Sequence, residues 1–218
     1  MCIRDRHLGL LAIGLVLAFG QTRTNADIVF NEFDFTGNGQ VELVNTGSSS
    51  VDIGDWWFCN RVNGSPFYDQ VDDLATASSG SFNLAAGELI TVTFTVGNFL
   101  PAGQGELGLY TTNSFGNSNA IEEYVQWGAD FGARDSVADG AGIWTNGDFI
   151  DVTSLATGES VQLNPNGSSN ANGHLGISSD DYFFAPSSFG VANVPEPGSA
   201  IVLTGLAGLV LIRRKRDR

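Results

Sequence analysis

The sequence predicts an all-β fold, a sandwich or barrel of many short strands, with a different kind of segment at each end. Three observations predict it. Glycine, serine, threonine and asparagine are spread throughout residues 27–193, helical periodicity is nearly absent there, and short apolar–polar alternations recur between turn-forming residues. Successive side chains of a strand point to opposite faces, so such alternation reads as strands half-buried in a layered all-β domain.

The first run, DIVFNEF (27–33), is expected to carry Ile28, Phe30 and Glu32 on one face. The second, GQVELVN (39–45), places Val41 and Leu43 together, and the DFTGNG between them has the Asn-Gly chemistry of a tight hairpin. Further strands are expected over 51–53, 56–59, 89–96, 106–111, 120–127, 149–152 and 160–163, with Trp56 or Trp57 filling the space between two sheets. Segment 61–81 fits this pattern loosely and reads as an insertion.

The motifs carry a resemblance. Ile28-Val29-Phe30-Asn31-Glu32, Val41-Glu42-Leu43-Val44-Asn45 and Val51-Asp52-Ile53-Gly54-Asp55-Trp56 resemble the opening strands of a lamin tail domain. Leu84-Ala85-Ala86-Gly87 is similar to that family's L-x-P-G turn, with alanine for proline. Residues 121–128, IEEYVQWG, resemble its V-D-x-V-x-Y-G strand, and 187–193, SSFGVAN, its closing S/T-P-G-x-x-N, again without the proline. The resemblance covers most of 27–193 and implies an immunoglobulin-like β-sandwich with an adhesive or structural role.

The ends read as addresses. Residues 7–19, HLGLLAIGLVLAF, follow Arg4 and Arg6 and precede Thr24-Asn25-Ala26, the layout of a secretory signal peptide over 1–26. Cleavage is expected after Ala26, making Asp27 the new terminus. Residues 1–6, MCIRDR, read as foreign to such a leader and resemble sequencing-adapter read-through. At the other end, Val194-Pro195-Glu196-Pro197 is followed by an uncharged apolar stretch over 199–212 and a basic end over 213–218 that contains Arg213, Arg214, Lys215 and Arg216. The 14 uncharged residues make about 21 Å of helix, short of the ~30 Å hydrocarbon core. The arginines would stay cytoplasmic and orient the domain outward. In this order and place, residues 194–218 resemble a PEP-CTERM sorting signal. The resemblance implies export from a Gram-negative bacterium, transient insertion in the inner membrane, recognition by an exosortase, and delivery to the cell surface or extracellular matrix. Extracellular polysaccharide and other surface proteins are the partners it suggests.

Charge excludes one class of partner. Residues 27–198 hold 22 acidic side chains against only Arg61 and Arg134, a formal charge of −20 with no lysine. Such a chain does not neutralise phosphates, so nucleic acid is excluded. Cys2 belongs to the leader, which leaves Cys59 without an intramolecular disulfide partner and reads as a small buried hydrophobe.

No catalytic signature emerges, and no enzyme activity, metal or other cofactor is expected. His174 is the sole histidine after the leader and sits in SSNANGHLGIS, with no nucleophile beside it. There is no phosphate-cradling glycine loop with a lysine and no Gly-x-Ser-x-Gly elbow. Glu122 and Glu123 are adjacent on a strand and face opposite ways, so they make no glycosidase pair together. Asn31, Glu32, Glu42 and Asn45 read as structural polar residues. Two alternatives to an adhesive role stay open. A Ca2+- or carbohydrate-binding module would use Asp34 and Asn38 of the 34–45 loop, where Asn45 replaces the bidentate glutamate, or exposed rings among Trp57, Tyr68, Trp127 and Trp144. A secreted hydrolase would need two carboxylates converging from different strands.

Overall fold

The computed structural model describes residues 27–62, 65–131, 133–191 and 193. The leader with Ala26, the sorting motif Val194, Pro195, Glu196 and Pro197, the apolar stretch, and Arg213, Arg214, Lys215 and Arg216 lie outside the described residues. Among the described residues no helix is long and apolar enough to cross a membrane.

The chain folds into strands β1 (Ile28–Asp34), β2 (Gln40–Asn45), β3 (Val51–Asp52), β4 (Trp57–Val62), β5 (Ser65–Gln70), β6 (Ala75–Ala77), β7 (Asn83–Leu84), β8 (Leu89–Phe94), β9 (Gly105–Tyr110), β10 (Ile121–Trp127), β11 (Glu159–Leu163) and β12 (Tyr182–Pro186). Two short helices, α1 (Val71–Leu74) and α2 (Asp135–Ala141), interrupt them. A six-stranded sheet runs β12-β11-β1-β2-β8-β6, a four-stranded one β10-β9-β4-β5, and β3 pairs with β7. The ladders are antiparallel. The two larger sheets share one core: Phe30, Phe33, Leu43 and Ile90 from the first meet Phe58, Leu107, Leu109 and Val125 from the second. Phe58 on β4 and Phe94 on β8 touch edge to face across it, centroids 5.3 Å apart. The fold is all-β and sandwich-like, as expected. Each fully buried phenylalanine contributes about 1.5–3 kcal/mol by leaving water.

Two bulges decide which polar groups enter the interior. On β1, Phe30 pairs with Leu43 and Glu32 with Glu42, leaving Asn31 as the extra residue. The expectation that Ile28, Phe30 and Glu32 share a face is therefore corrected: the bulge keeps Ile28 and Phe30 in the core and turns Glu32 to the opposite face with Glu42. On β10, Ile121 pairs with Tyr110 and Glu123 with Leu109, so Glu122 is the extra residue. Glu123 consequently shares a face with Val125, opposite Leu109 and Leu107, and points between the sheets.

Other expectations change as well. Trp56 and Trp57 are half-buried rather than central, because the core-facing position of β4 falls to Phe58. Residues 149–152 supply one parallel bridge, Ile150 to Trp127, and a 3-10 turn (Val152–Ser154) instead of a strand. Segment 61–81 holds the β4–β5 hairpin, α1 and β6, and is part of both larger sheets. Neither α2 nor β12 was expected from alternation.

Candidate functional site

Three polar centres are built into this fold, and each depends on chain segments far apart in sequence. The first lies on the face of the six-stranded sheet turned away from the core. Asn31, Glu32 and Glu42 are fully buried there because residues 187–191 and Asn193 run over them. Glu32 accepts from Ser160 Oγ (2.7 Å), Ser188 N (2.9 Å) and Ser188 Oγ (2.8 Å). Glu42 accepts from Asn31 Nδ2 (2.7 Å), Thr91 Oγ1 (3.4 Å) and the Gly190 amide. Asn31 completes the seam: its Oδ1 accepts from Asn193 N (2.9 Å) and its carbonyl from Asn193 Nδ2 (3.2 Å). Burial raises the Glu42 carboxyl above its ordinary range, and the amide and hydroxyl donors pull it back. These residues close the domain, as their structural reading implied.

The second centre sits at the end of the core where the described chain begins. A tight turn, in which Asn170 Oδ1 accepts from the amides of Asn172 (2.9 Å) and His174 (3.0 Å), carries His174 inward. Its Nδ1 lies 3.0 Å from Asp27 Oδ1 and its Nε2 3.3 Å from Glu123 Oε2. His174 is 4% exposed, Asp27 8% and Glu123 0%. Glu123 also accepts from Tyr124 N (2.8 Å) and from Phe30 N (3.3 Å), the latter amide belonging to the β1 bulge. Burial raises the Glu123 carboxyl, while His174 opposes the shift. The carboxylates occupy opposite edges of the imidazole, so they polarise it from both sides and do not converge on a common ion. Among the described residues no group of three metal-ligating side chains has the geometry to hold a metal.

The third centre covers the outer face of the four-stranded sheet. Glu106 Oε2 accepts from Tyr124 OH (2.6 Å) and from Arg134 N at the head of α2 (3.0 Å). Tyr124 OH also contacts Gln126 Oε1 at 2.8 Å. Burial pushes the Glu106 carboxyl up to about 7 against these donors and against the charges of Arg61 and Arg134. Burial likewise pushes the Cys59 thiol up to about 11, which keeps it protonated and inert. The ring of Tyr110 lies over Gly108, where a Cβ would strike it.

The ligand candidates named from sequence scatter rather than gather. Trp127 is 1% exposed and Trp144 2%. Trp127 donates Nε1–H to the Pro101 carbonyl (2.8 Å) and Trp144 to that of Asp148 (3.1 Å). As stacking surfaces both are corrected: their faces are spent on the core. Trp57 is half-buried against Phe115, and Phe115 also touches Tyr68, which is 49% exposed. Asp34 is used locally, accepting from the amide and hydroxyl of Thr36, both at 2.8 Å, while Asn38 is exposed on the same turn.

The arrangement around His174 escaped sequence reasoning. Its partners are 147 and 51 positions away, and the one available signal was a solitary base in a domain of acids. Compared with known protein families and with characterised proteins, the sequence gives no match.

Proposed function

We propose that the chain is an exported, non-enzymatic surface or extracellular-matrix protein, an immunoglobulin-like module of lamin-tail type that an exosortase sorts through its C-terminal tail. The observation that carries the reading is the tail itself: Val194-Pro195-Glu196-Pro197, an apolar stretch and a basic end, in that order. The two prolines keep the motif out of a helix interior and extended for recognition. The marginal apolar length suits a temporary hold in the inner membrane.

The layout of the folded unit supports this reading. Asp27, the first residue after the expected leader cleavage, is buried and held by His174, and its carbonyl accepts from Thr46 N at 2.8 Å. Asn193, the last residue before the motif, is fastened to Asn31. The folded unit thus spans the interval between the two expected processing points. Its acidic surface favours solubility in an extracellular polymer over binding to anionic lipid.

The test is intact mass and location of the protein expressed in a polysaccharide-producing host with and without its exosortase. Loss of the tail near residues 195–197 only when the enzyme is present is the expected result. An uncut chain retained in the membrane of both hosts would overturn the sorting role.

A further inference from the structure

Most buried polar groups of this domain have fixed partners that hold at any moderate pH. His174, whose charge like that of Glu106 changes near neutrality, differs because it joins three separate parts of the chain. Asp27 leads into β1, Glu123 lies on β10 of the other sheet, and His174 is on the 169–175 turn, which a bridge from Ser169 to Leu175 closes. That turn is in turn tied to α2, since Asn170 Nδ2 donates to the Gly142 carbonyl at 2.9 Å. Among the described residues, the carboxylates that lie against the imidazole are those of Asp27 and Glu123. Asp27 comes from the head of β1 and Glu123 from β10, while from β12 the neutral Tyr182 hydroxyl, its proton held by burial, feels the charges of Glu123 and Asp181. No lysine lies in 27–193, and both arginines of that span act on the Glu106 centre on the far face of β9 and β10.

We propose that the Asp27–His174–Glu123 cluster is a proton-dependent lock that fastens the start of β1 and the 169–175 turn to the second sheet. With a proton on His174, Nδ1–H donates to Asp27 and the Nε2–H edge faces Glu123 Oε2 at ion-pair distance, 3.3 Å, so the imidazolium offsets the buried negative charge. Without that proton, only one N–H remains for two buried acids, and the second carboxylate faces a lone pair. The folded cluster thus binds protons more tightly than the same groups in the unfolded chain. Its contribution to stability is complete on the acid side of neutrality and is lost as pH rises. An extracellular domain is exposed directly to the pH of its surroundings, so the physiological sense of the lock rests on the export reading above. The lock itself does not, and a purified full chain tests it whether or not any tail is cut.

The experiment combines a ring-proton NMR titration of His174, identified by the loss of its signal in His174→Gln, with hydrogen-exchange protection factors between pH 6 and 9. The ring is expected to titrate above the ~6.5 of an unperturbed histidine. In a Glu106→Gln background, which removes the other buried group that titrates near neutrality, protection of the 28–33 and 170–176 amides is expected to fall at least tenfold across the titration, while amides of β8 stay constant. In His174→Gln the protection of those two segments is expected to be low at every pH. A ring that titrates at or below ~6.5, or protection in the Glu106→Gln background that does not change across the range, overturns the lock. Should His174→Gln fail to fold, the ring titration and the exchange profile in that background decide alone, with Asp27→Asn as the milder variant.

Discussion

Glu32 and Glu42 lie directly opposite one another on β1 and β2, both fully buried, and half of the donors that meet them come from a segment about 150 residues further along the chain. Two facing carboxylates are tolerable there only because amides and hydroxyls surround them. The seam between β1 and residues 187–191 with Asn193 is therefore a stability element with a clear point of failure.

Asn31 is that point. Asn31→Ala removes the donor to Glu42 and the acceptor for the Asn193 amide, leaving a fully buried carboxylate and a half-buried amide short of a partner. A loss of about 2–3 kcal/mol is expected from urea unfolding midpoints. Asn193→Ala, which retains its backbone donor, is expected to cost under about 1 kcal/mol. Equal costs for the two variants would show that the seam does not act through Asn31.

Stability should decline on the alkaline side. Burial raises the Glu106 carboxyl from its ordinary 4.5 to about 7 in the folded chain. A raised acid favours folding fully below its unfolded value and loses that contribution as pH rises through the folded one. Melting temperatures are expected to fall between pH 5 and pH 8, and to fall less in Glu106→Gln. A flat profile in wild type would contradict the burial argument.

Backbone geometry yields a paired prediction. Gly128 has a φ of +80° and a Cβ there would fall on the Gly103 carbonyl, whereas Gly37, at φ +63°, has nothing within 4 Å. Gly37→Ala is expected to cost about 1 kcal/mol, the left-handed penalty alone. Gly128→Ala should exceed that by several fold or abolish soluble folded protein, as read by urea unfolding and by near-UV circular dichroism.

Cys59 should behave as part of the core. With its thiol pushed up to about 11, native protein at pH 8 is expected to react with a thiol reagent on the order of a hundredfold more slowly than the urea-unfolded chain. Equal rates would place the sulfur in contact with solvent.

Much of the fold was legible because alternation is a local signal. β2 reads Gln-Val-Glu-Leu-Val-Asn, and its register against β1 and β8 follows from Val41 and Leu43 seeking the core. The bulges were not legible, since the extra residue at Asn31 or Glu122 shows itself only against a partner strand. The tryptophans misled for a related reason. Trp56-Trp57-Phe58 offers three large apolar rings in succession, and a strand buries the member whose parity matches the sheet, here Phe58. His174 was hidden by distance: a glycine- and asparagine-rich turn looks solvent-exposed until Asp27 and Glu123 are brought beside it.

The place of β1 in its sheet bears on how the chain is made. β1 is an interior strand, flanked by β2 on one side and by β11, near the end of the domain, on the other. A chain that emerges from its N-terminus exposes β1 first, yet its second neighbour and the cover over Glu32 arrive only with residues 159–193. Such long-range pairing makes folding slow. The strand that is made first is therefore the last to gain its full set of neighbours, and the polypeptide stays pliable until its final segment is made.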